Sequence, residues 1–389
     1  MNVLIVNGSA DLYGANRILL EVIKMLGNRT IVLVLPGIGP LTELISSDEV
    51  YSNVVIKIVP EMPVVARSMK SVKGMTEVLG KMSVFKKAIK TITKEYNIGW
   101  AYVNTLSCFL AARSIRQLGL KILLHVHEIL ENDKLFTRLI NKYALAWVDK
   151  VMAVSDPVKD NLLAVARAGD IPKVITVLNG IPDKYSPEIK KEGQENHKVV
   201  VTLFGRIKPE KGIWFFLDAI ASLPAVCIEK SKFQIFGDAA PGGGYFLDKL
   251  KEDIACHPAR EALCFQSFIP DITHALNKSD IIVVPSLMKD PFPTTILEGL
   301  SAGKPVIATN TGGAIQSVKN NVTGFLITPQ DNLLFSQKLE ALIMSDALRI
   351  EMGNNARNEF LERFTLPIFR NNLMEQIALF EQKIKPQTK

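Results

Sequence analysis

Lys198-Val199-Val200-Val201-Thr202-Leu203-Phe204-Gly205-Arg206-Ile207-Lys208-Pro209-Glu210-Lys211-Gly212 begins as an apolar run and ends as a short basic loop. An apolar run without clean alternation reads as a strand covered on both faces. A helical pattern follows at Ile213–Leu223, so the loop joins a strand to a helix. Strand, short loop and helix repeated along a chain give a parallel sheet with helices on both faces.

The same alternation continues in both directions. Downstream, strands are expected at Lys232–Phe236, Leu263–Phe268, Ile281–Val284, Pro305–Ala308 and Gly324–Ile327. Helices are expected at Tyr245–Ile254, Thr294–Ala302 and Asn332–Met344, then at Asp346–Arg363 and Ile368–Ile384, with Pro367 interrupting the last two. Upstream, strands are expected at Val3–Asn7, Thr30–Leu35, Val54–Ile58, Trp100–Asn104, Ile122–Val126, Val151–Ser155 and Val174–Leu178. Helical patterns at Ala15–Met25 and Met75–Tyr96 lie among them. The polar stretch from Ser186 to Asn196, broken by Pro187 and Gly193, separates the two series. The expected fold is therefore α/β: residues 1–185 form one doubly wound Rossmann-like domain, 186–196 a linker and 197–367 a second such domain. A C-terminal helix at 368–385 would pack back on the first. Ligands of such sheets sit beyond the carboxyl ends of the strands. Two domains facing each other there would share a cleft.

Composition sets the outer limits. The chain has 389 residues, 48% apolar and 22% charged, which suits two ordinary soluble domains. No apolar stretch approaches the roughly 20 residues of a membrane-spanning helix. Met1–Val6 reads as a first buried strand rather than an export signal, so the cytoplasm is the expected compartment. Cys108, Cys227, Cys256 and Cys264 form no C-x-x-C pair and read as small core residues. The net charge is +7, and it is uneven: residues 1–195 carry 25 lysines and arginines against 19 acidic residues, whereas 196–389 carry 21 against 20. The positive field of the first half points to an anionic partner or surface there.

Three loops at expected strand ends carry the chemistry. In Gly205–Gly212, Arg206 and Lys211 place two fixed cations beside a helix start, which suits a diphosphate; a solvated basic turn is the bland alternative. In Asp290-Pro291-Phe292-Pro293-Thr294-Thr295-Ile296-Leu297-Glu298, two carboxylates bracket a loop and the first turn of a helix. The amides of Thr294, Thr295 and Ile296 are expected to be free for phosphate oxygens, Glu298 to take a vicinal diol such as a ribose, and Asp290 a sugar ring. Thr309-Asn310-Thr311-Gly312-Gly313-Ala314 is a third, small-residue loop that lets backbone approach a ligand.

Together these segments resemble the family-4 group of retaining glycosyltransferases, which have the GT-B architecture. The resemblance rests on Gly205–Gly212, on Asp290 and Glu298 eight positions apart, on Gly303-Lys304-Pro305-Val306-Ile307-Ala308 and on Gly312-Gly313. Looser echoes lie at Gly8 to Gly14, at His125-Val126-His127-Glu128 and at Leu178-Asn179-Gly180-Ile181. The resemblance implies that Arg206 and Lys211 hold the donor diphosphate and stabilise the leaving group, with Gly205 opening their loop. It implies that Glu298 binds the nucleotide ribose, that Asp290 binds donor sugar hydroxyls, and that Gly14 lets backbone reach phosphate or acceptor. His127 would lie beside the transferred sugar. Two departures bear on donor choice: the family usually has Glu where Asp290 stands, and often Gly where Pro293 stands, which has no N–H for phosphate.

The implied activity is retaining transfer of a sugar from a nucleotide-diphosphate donor to a saccharide or a polyprenyl-diphosphate-linked saccharide, in cell-surface polysaccharide assembly. Positive groups that take up the charge of the leaving nucleoside diphosphate would contribute most. No D-x-D is present, no third ligand accompanies His125 and His127, and neither a metal nor another cofactor is expected. The acceptor-binding residues are not legible. A non-catalytic nucleotide-sugar-binding subunit and a nucleotide-sugar hydrolase or epimerase remain alternatives. A dinucleotide oxidoreductase is disfavoured, because Gly8 and Gly14 are spaced too widely for G-x-G-x-x-G.

On the helix at 75–96, Met75, Val78, Leu79, Met82, Phe85, Ile89 and Ile92 form one apolar face, flanked by Lys86, Lys87, Lys90 and Lys94. Arg67, Lys70 and Lys73 extend the basic stretch. Besides an ordinary surface helix, this suits contact with anionic lipid on the inner face of a membrane or with a lipid-linked diphosphate.

Overall fold

A computed structural model describes residues 1–65, 72–184, 198–239 and 243–384. The chain divides into two compact units: Met1–Asn179 with Phe369–Lys389, and Gly180–Ile368. The expected linker and the expected basic residues Arg67 and Lys70 lie outside the described residues.

In the first unit, strands β1 (Asn2–Asn7), β2 (Ile31–Leu35), β3 (Val54–Ile58), β4 (Ile98–Asn104), β5 (Lys121–Val126), β6 (Lys150–Ala153) and β7 (Val174–Thr176) form a sheet in the order β3-β2-β1-β4-β5-β6-β7. Every neighbouring pair is parallel. β2 is apolar throughout because helices cover both its faces: all five of its residues are buried. The outer strand β3 departs from that expectation. It is half-exposed along most of its length because it has a neighbour on one side only. The strand expected to run to Ser155 stops at Ala153, since Ser155 instead caps the helix Asp156–Leu163 by accepting the amide of Val158.

In the second unit, β8 (Val199–Phe204), β9 (Ser231–Phe236), β10 (Leu263–Gln266), β11 (Ile281–Val284), β12 (Val306–Thr309) and β13 (Gly324–Ile327) pair in parallel in the order β10-β9-β8-β11-β12-β13. Its core is aromatic: Phe216 stacks on Phe335 and meets Phe233 edge-on, all three fully buried.

In each sheet the strand order reverses once, between β1 and β4 and between β8 and β11. There the crossovers leave on opposite faces and open a crevice beyond the carboxyl ends of the two strands. Asn7 and Asn104 stand at the first such point; Gly205 and Pro285 follow the strands of the second.

Pro367 does not interrupt the C-terminal helices. It is the second residue of Leu366–Ile384, where the first turn needs no amide donor. The break falls at Phe364 and Thr365, held by Ile181, whose amide donates to Phe364 and whose carbonyl accepts from Leu366. From Phe369 onward this helix belongs to the first unit. Phe380 meets Trp100 edge-on at 5.4 Å, the Trp100 indole donates to Glu381 at 2.9 Å, and Arg29 pairs with the same carboxylate at 2.6 Å.

The helix Val72–Glu95 buries Val78, Phe85, Ile89 and Ile92. Leu79 does not join that face: it is 49% exposed, as is Val84, and both share the outer side with Lys87, Lys90 and Lys94. The side chains of Lys73 and Met75 lie outside the described residues. Cys108 and Cys227 are buried, but Cys256 is exposed and Cys264 half-exposed, so only two of the four are core residues. Among the described residues, no helix is long and apolar enough to cross a membrane.

Candidate functional site

The three loops singled out in the second half meet around one residue, Asp290. After β8 the chain makes a single 3-10 turn, Pro209–Lys211, and ends it at Gly212 with φ 72°. That left-handed conformation suits glycine, and a Cβ there would stand 1.8 Å from the carbonyl oxygen of Pro285. Glycine thus lets the loop after β8 press against the loop after β11. The Glu210 carbonyl joins them, accepting the amides of Leu287 at 2.9 Å and Met288 at 3.2 Å. Lys211 Nζ then donates to Asp290 Oδ2 at 2.6 Å. The third loop closes on the same residue: the Gly313 amide donates to the Asp290 carbonyl at 2.8 Å, and a Cβ on Gly312 would fall 2.2 Å from that oxygen.

Lys211 and Asp290 are therefore a contacting, partly exposed pair. Arg206 stands exposed just past β8, and Glu298 is half-buried in the second turn of the helix Thr294–Ser301. Thr294 and Thr295 head that helix, where amides have no intrahelical acceptor. Ile296 differs from the expectation: its amide is taken by the Pro293 carbonyl at 3.1 Å, because the turn tightens behind the proline. Gly205 has open space where a Cβ would go. The packing constraint lies on its neighbour Gly237, whose Cβ would fall 1.8 Å from the Gly205 carbonyl oxygen. Sequence reading missed Gly237.

The first unit carries a second polar centre at its own switch point. A cavity of about 210 Å³ is lined by Asn7, Gly8, Asp11, Asn16, Ser107 and Glu128, among others. Gly8 is closely approached: a Cβ would lie 2.7 Å from Ser107 Oγ, and that side chain would have to shift. Gly14 opens the helix Gly14–Met25 and has open space around it, so nothing in the fold demands glycine there.

His127 and His125 differ in setting. His125 is fully buried, bonds Tyr102 through Nδ1 at 2.5 Å, and has an Nε2 without a protein partner. His127, half-buried, bonds Asn104 Oδ1 through Nε2 at 3.1 Å. Burial lowers the His127 pKa to about 3, and it pushes His125 well below the ordinary range with help from His127. Both rings are neutral near pH 7. Burial also raises the Glu128 carboxyl above its ordinary range, opposed by the amides of Leu106 and His127, each donating to Oε2 at 3.1 Å. The Leu106 amide is turned toward Glu128 by Thr105, a non-glycine residue at φ 72°.

Sequence reading assigned no role to Asn7, Asn16, Asn104, Thr105 or Glu128. A signal was available for two of them: Asn7 and Asn104 each end a strand just after a run of buried apolar residues, Val3–Val6 and Trp100–Val103. Among the described residues, no group of three or more His, Cys, Asp or Glu side chains is placed to hold a metal ion.

Comparison with known proteins agrees with this geometry. Residues 185–359 match the family described as glycosyl transferases group 1. The chain is 26% identical over 374 residues to the UDP-Gal:alpha-D-GlcNAc-diphosphoundecaprenol alpha-1,3-galactosyltransferase of Escherichia coli, covering 91% of each chain. It is 24% identical to the capsular polysaccharide biosynthesis glycosyltransferase CapM of Staphylococcus aureus, covering 87% of this chain and 89% of CapM. Its fold is that of Anabaena HepE in a crystal structure with UDP, at TM-score 0.79 and 21% identity over 97% of this chain and 100% of HepE. Two Rossmann-like parallel-sheet units, together with the family match over residues 185–359 and its motif loops, support a group 1 glycosyltransferase of GT-B fold.

Proposed function

We propose that this glycosyltransferase moves a hexosyl group from a nucleotide-diphosphate sugar, with UDP as the first candidate nucleotide, to a saccharide carried on a polyprenyl diphosphate. The observation that carries the reading is the contact between Lys211 and Asp290 at the switch point of the second sheet. A cation for phosphate and a carboxylate for sugar hydroxyls, side by side at a strand end, match the two halves of such a donor. The names of the relatives support the choice of donor and acceptor: one uses UDP-galactose and a lipid-linked GlcNAc diphosphate, and HepE was crystallised with UDP.

In this reading Arg206 and Lys211 hold the diphosphate, Glu298 the ribose, and Asp290 the sugar. The amides of Thr294 and Thr295 face phosphate oxygens, and Gly205 and Gly14 leave room for backbone to approach. The acceptor oxygen bonds to the anomeric carbon on the face from which the diphosphate departs. The leaving group takes the bonding electrons, and the acceptor proton passes to it. Fixed cations lower the barrier because charge grows on the diphosphate as the bond breaks. No divalent ion is assigned a role, and turnover is expected to continue in EDTA.

A donor panel scored by release of UDP, GDP or ADP tests the reading. UDP release that depends on added acceptor, and that falls in Arg206→Ala, supports it. Equal release without acceptor would instead make the protein a hydrolase.

We further infer contact with an anionic bilayer in polysaccharide assembly. Helices Val72–Glu95, Phe109–Arg116 and Leu135–Trp147 pack side by side. Their outer sides expose Leu79, Val84, Leu135 and Tyr143 among Lys87, Lys90, Arg113 and Arg138. Apolar side chains interspersed with cations favour an interfacial position on acidic lipid. Sedimentation with vesicles containing anionic phospholipid, but not with neutral ones, is the expected result.

A further inference from the structure

Three asparagines in the first unit are almost wholly shielded from solvent: Asn7, Asn16 and Asn104 are 1%, 2% and 0% exposed. Buried amides are costly unless bonded, and these bond to one another in a line. Asn104 Nδ2 donates to Asn7 Oδ1 at 2.9 Å, and Asn7 Nδ2 donates to Asn16 Oδ1 at 3.0 Å. The line has a direction, and atoms outside it set that direction. Asn16 Nδ2 faces the Asp11 carbonyl at 2.9 Å and the Asp11 carboxylate at 3.0 Å, which can only accept. Asn7 Nδ2 faces the Ser9 carbonyl at 2.6 Å, which also can only accept. Neither amide can therefore be reversed. Asn7 must present its oxygen to Asn104, so Asn104 must present its oxygen to His127. A carbonyl oxygen accepts, so the proton of the neutral ring sits on Nε2.

We propose that Asn7 and Asn104 are positioning residues that hold His127 as the Nε2–H tautomer, leaving Nδ1 as an acceptor only. The consequence for substrate rests on the reading of His127 as a sugar-facing residue. A ring nitrogen with a lone pair and no proton takes a hydrogen bond from a hydroxyl. It rejects a ligand that offers only an ether, carbonyl or carboxylate oxygen at that point. Asn16 is a second anchor rather than a necessary one, because the Ser9 carbonyl alone orients Asn7.

The test uses the full chain labelled with nitrogen-15 in histidine, and two-bond proton–nitrogen correlation spectra at pH 7.5. The expected spectrum shows His127 with a protonated Nε2, an unprotonated Nδ1 and a single population. Asn7→Leu frees Asn104 to turn, and a second population protonated at Nδ1 appears. Asn16→Leu leaves the spectrum of His127 unchanged. Asn104→Asp keeps an acceptor beside Nε2, so the Nε2–H tautomer persists while the ring begins to protonate at higher pH. A parent spectrum showing Nδ1–H or a mixture overturns the proposal, even if no variant folds. So does an Asn7→Leu spectrum identical to the parent. These signals require no turnover, so a failed transferase assay and a failed tautomer assignment are separate results.

Discussion

Lys211 Nζ lies 2.6 Å from Asp290 Oδ2, joining two residues 79 positions apart that sequence reading had placed in separate motifs with separate duties. In the proposed reading, the pair links the cation assigned to phosphate with the carboxylate assigned to the sugar. On that reading, an incoming diphosphate would compete with Asp290 for the ammonium and so free the carboxylate for hydroxyls.

Lys211→Met should separate catalysis from stability. The pair is partly solvent-exposed, so its loss should lower stability by less than about 1 kcal/mol in a denaturant titration. Loss of a preorganised cation at a developing charge should lower kcat by about 100-fold or more in a UDP-release assay. A variant with unchanged kcat would remove Lys211 from the mechanism.

Two glycines should respond in opposite ways. Gly212→Ala meets both φ 72° and the Pro285 carbonyl, so a stability loss of about 3 kcal/mol or more is expected from thermal melting. Gly14→Ala meets nothing within 4 Å and should leave melting within about 0.5 kcal/mol of the parent. Its cost should appear instead as a raised KM for donor or acceptor, since any need for bare backbone at residue 14 comes from a ligand.

Acid should destabilise the first unit from near neutrality downward. His127 stays unprotonated in the fold to about pH 3, whereas the unfolded chain binds that proton below the ordinary value of 6.5. The unfolded state therefore holds more protons between these limits, and stability falls as pH falls through them. Each such group contributes at most about 1.4 kcal/mol per pH unit. Glu128, raised by burial, acts with the opposite sign from its ordinary 4.5 up to its higher folded value. Urea midpoints between pH 7 and 5 should decline in the parent and decline less steeply in His127→Gln.

Thr105 tests whether the first cavity stores strain. Its conformation, φ 72° with ψ 151°, costs about 1–3 kcal/mol for a non-glycine residue. Thr105→Gly relieves that but loses the hydroxyl contact with Ser107, worth about 1 kcal/mol. A net gain of about 1 kcal/mol in denaturant stability is expected, together with weaker holding of Glu128 and lower activity. A net loss would show that the strain is absorbed elsewhere.

Much of the fold was legible because parallel sheets write themselves as short apolar runs between helical patterns. β3, β11 and β13 begin and end where the sequence placed them, and the other strands differ by a few residues at their ends. The errors have common causes. A serine that looked like the end of a strand was a helix cap, and a proline that looked like a break sat in the first turn of a helix. An edge strand carried the same Val and Ile as an inner one. Candidate site residues stood out in the sequence where loops place charge or glycine beside a strand end, as at Arg206, Lys211 and Asp290. Nothing in one dimension says that Asn7, Asn16 and Asn104 touch, because their contact depends on the register of β1 against β4 and on the turn that brings Asn16 back over Asn7.

The last helix imposes an order on biosynthesis. Trp100, in the middle of the first sheet, is completed by Phe380 and Glu381. A ribosome that has finished residues 1–179 has therefore made a sheet with an uncovered indole, and it must synthesise the entire second unit before the cover emerges. The first unit to be translated is the last to be finished. A nascent chain stalled before residue 369 should engage chaperones through that bare tryptophan, whereas the second unit, continuous in sequence, closes without waiting.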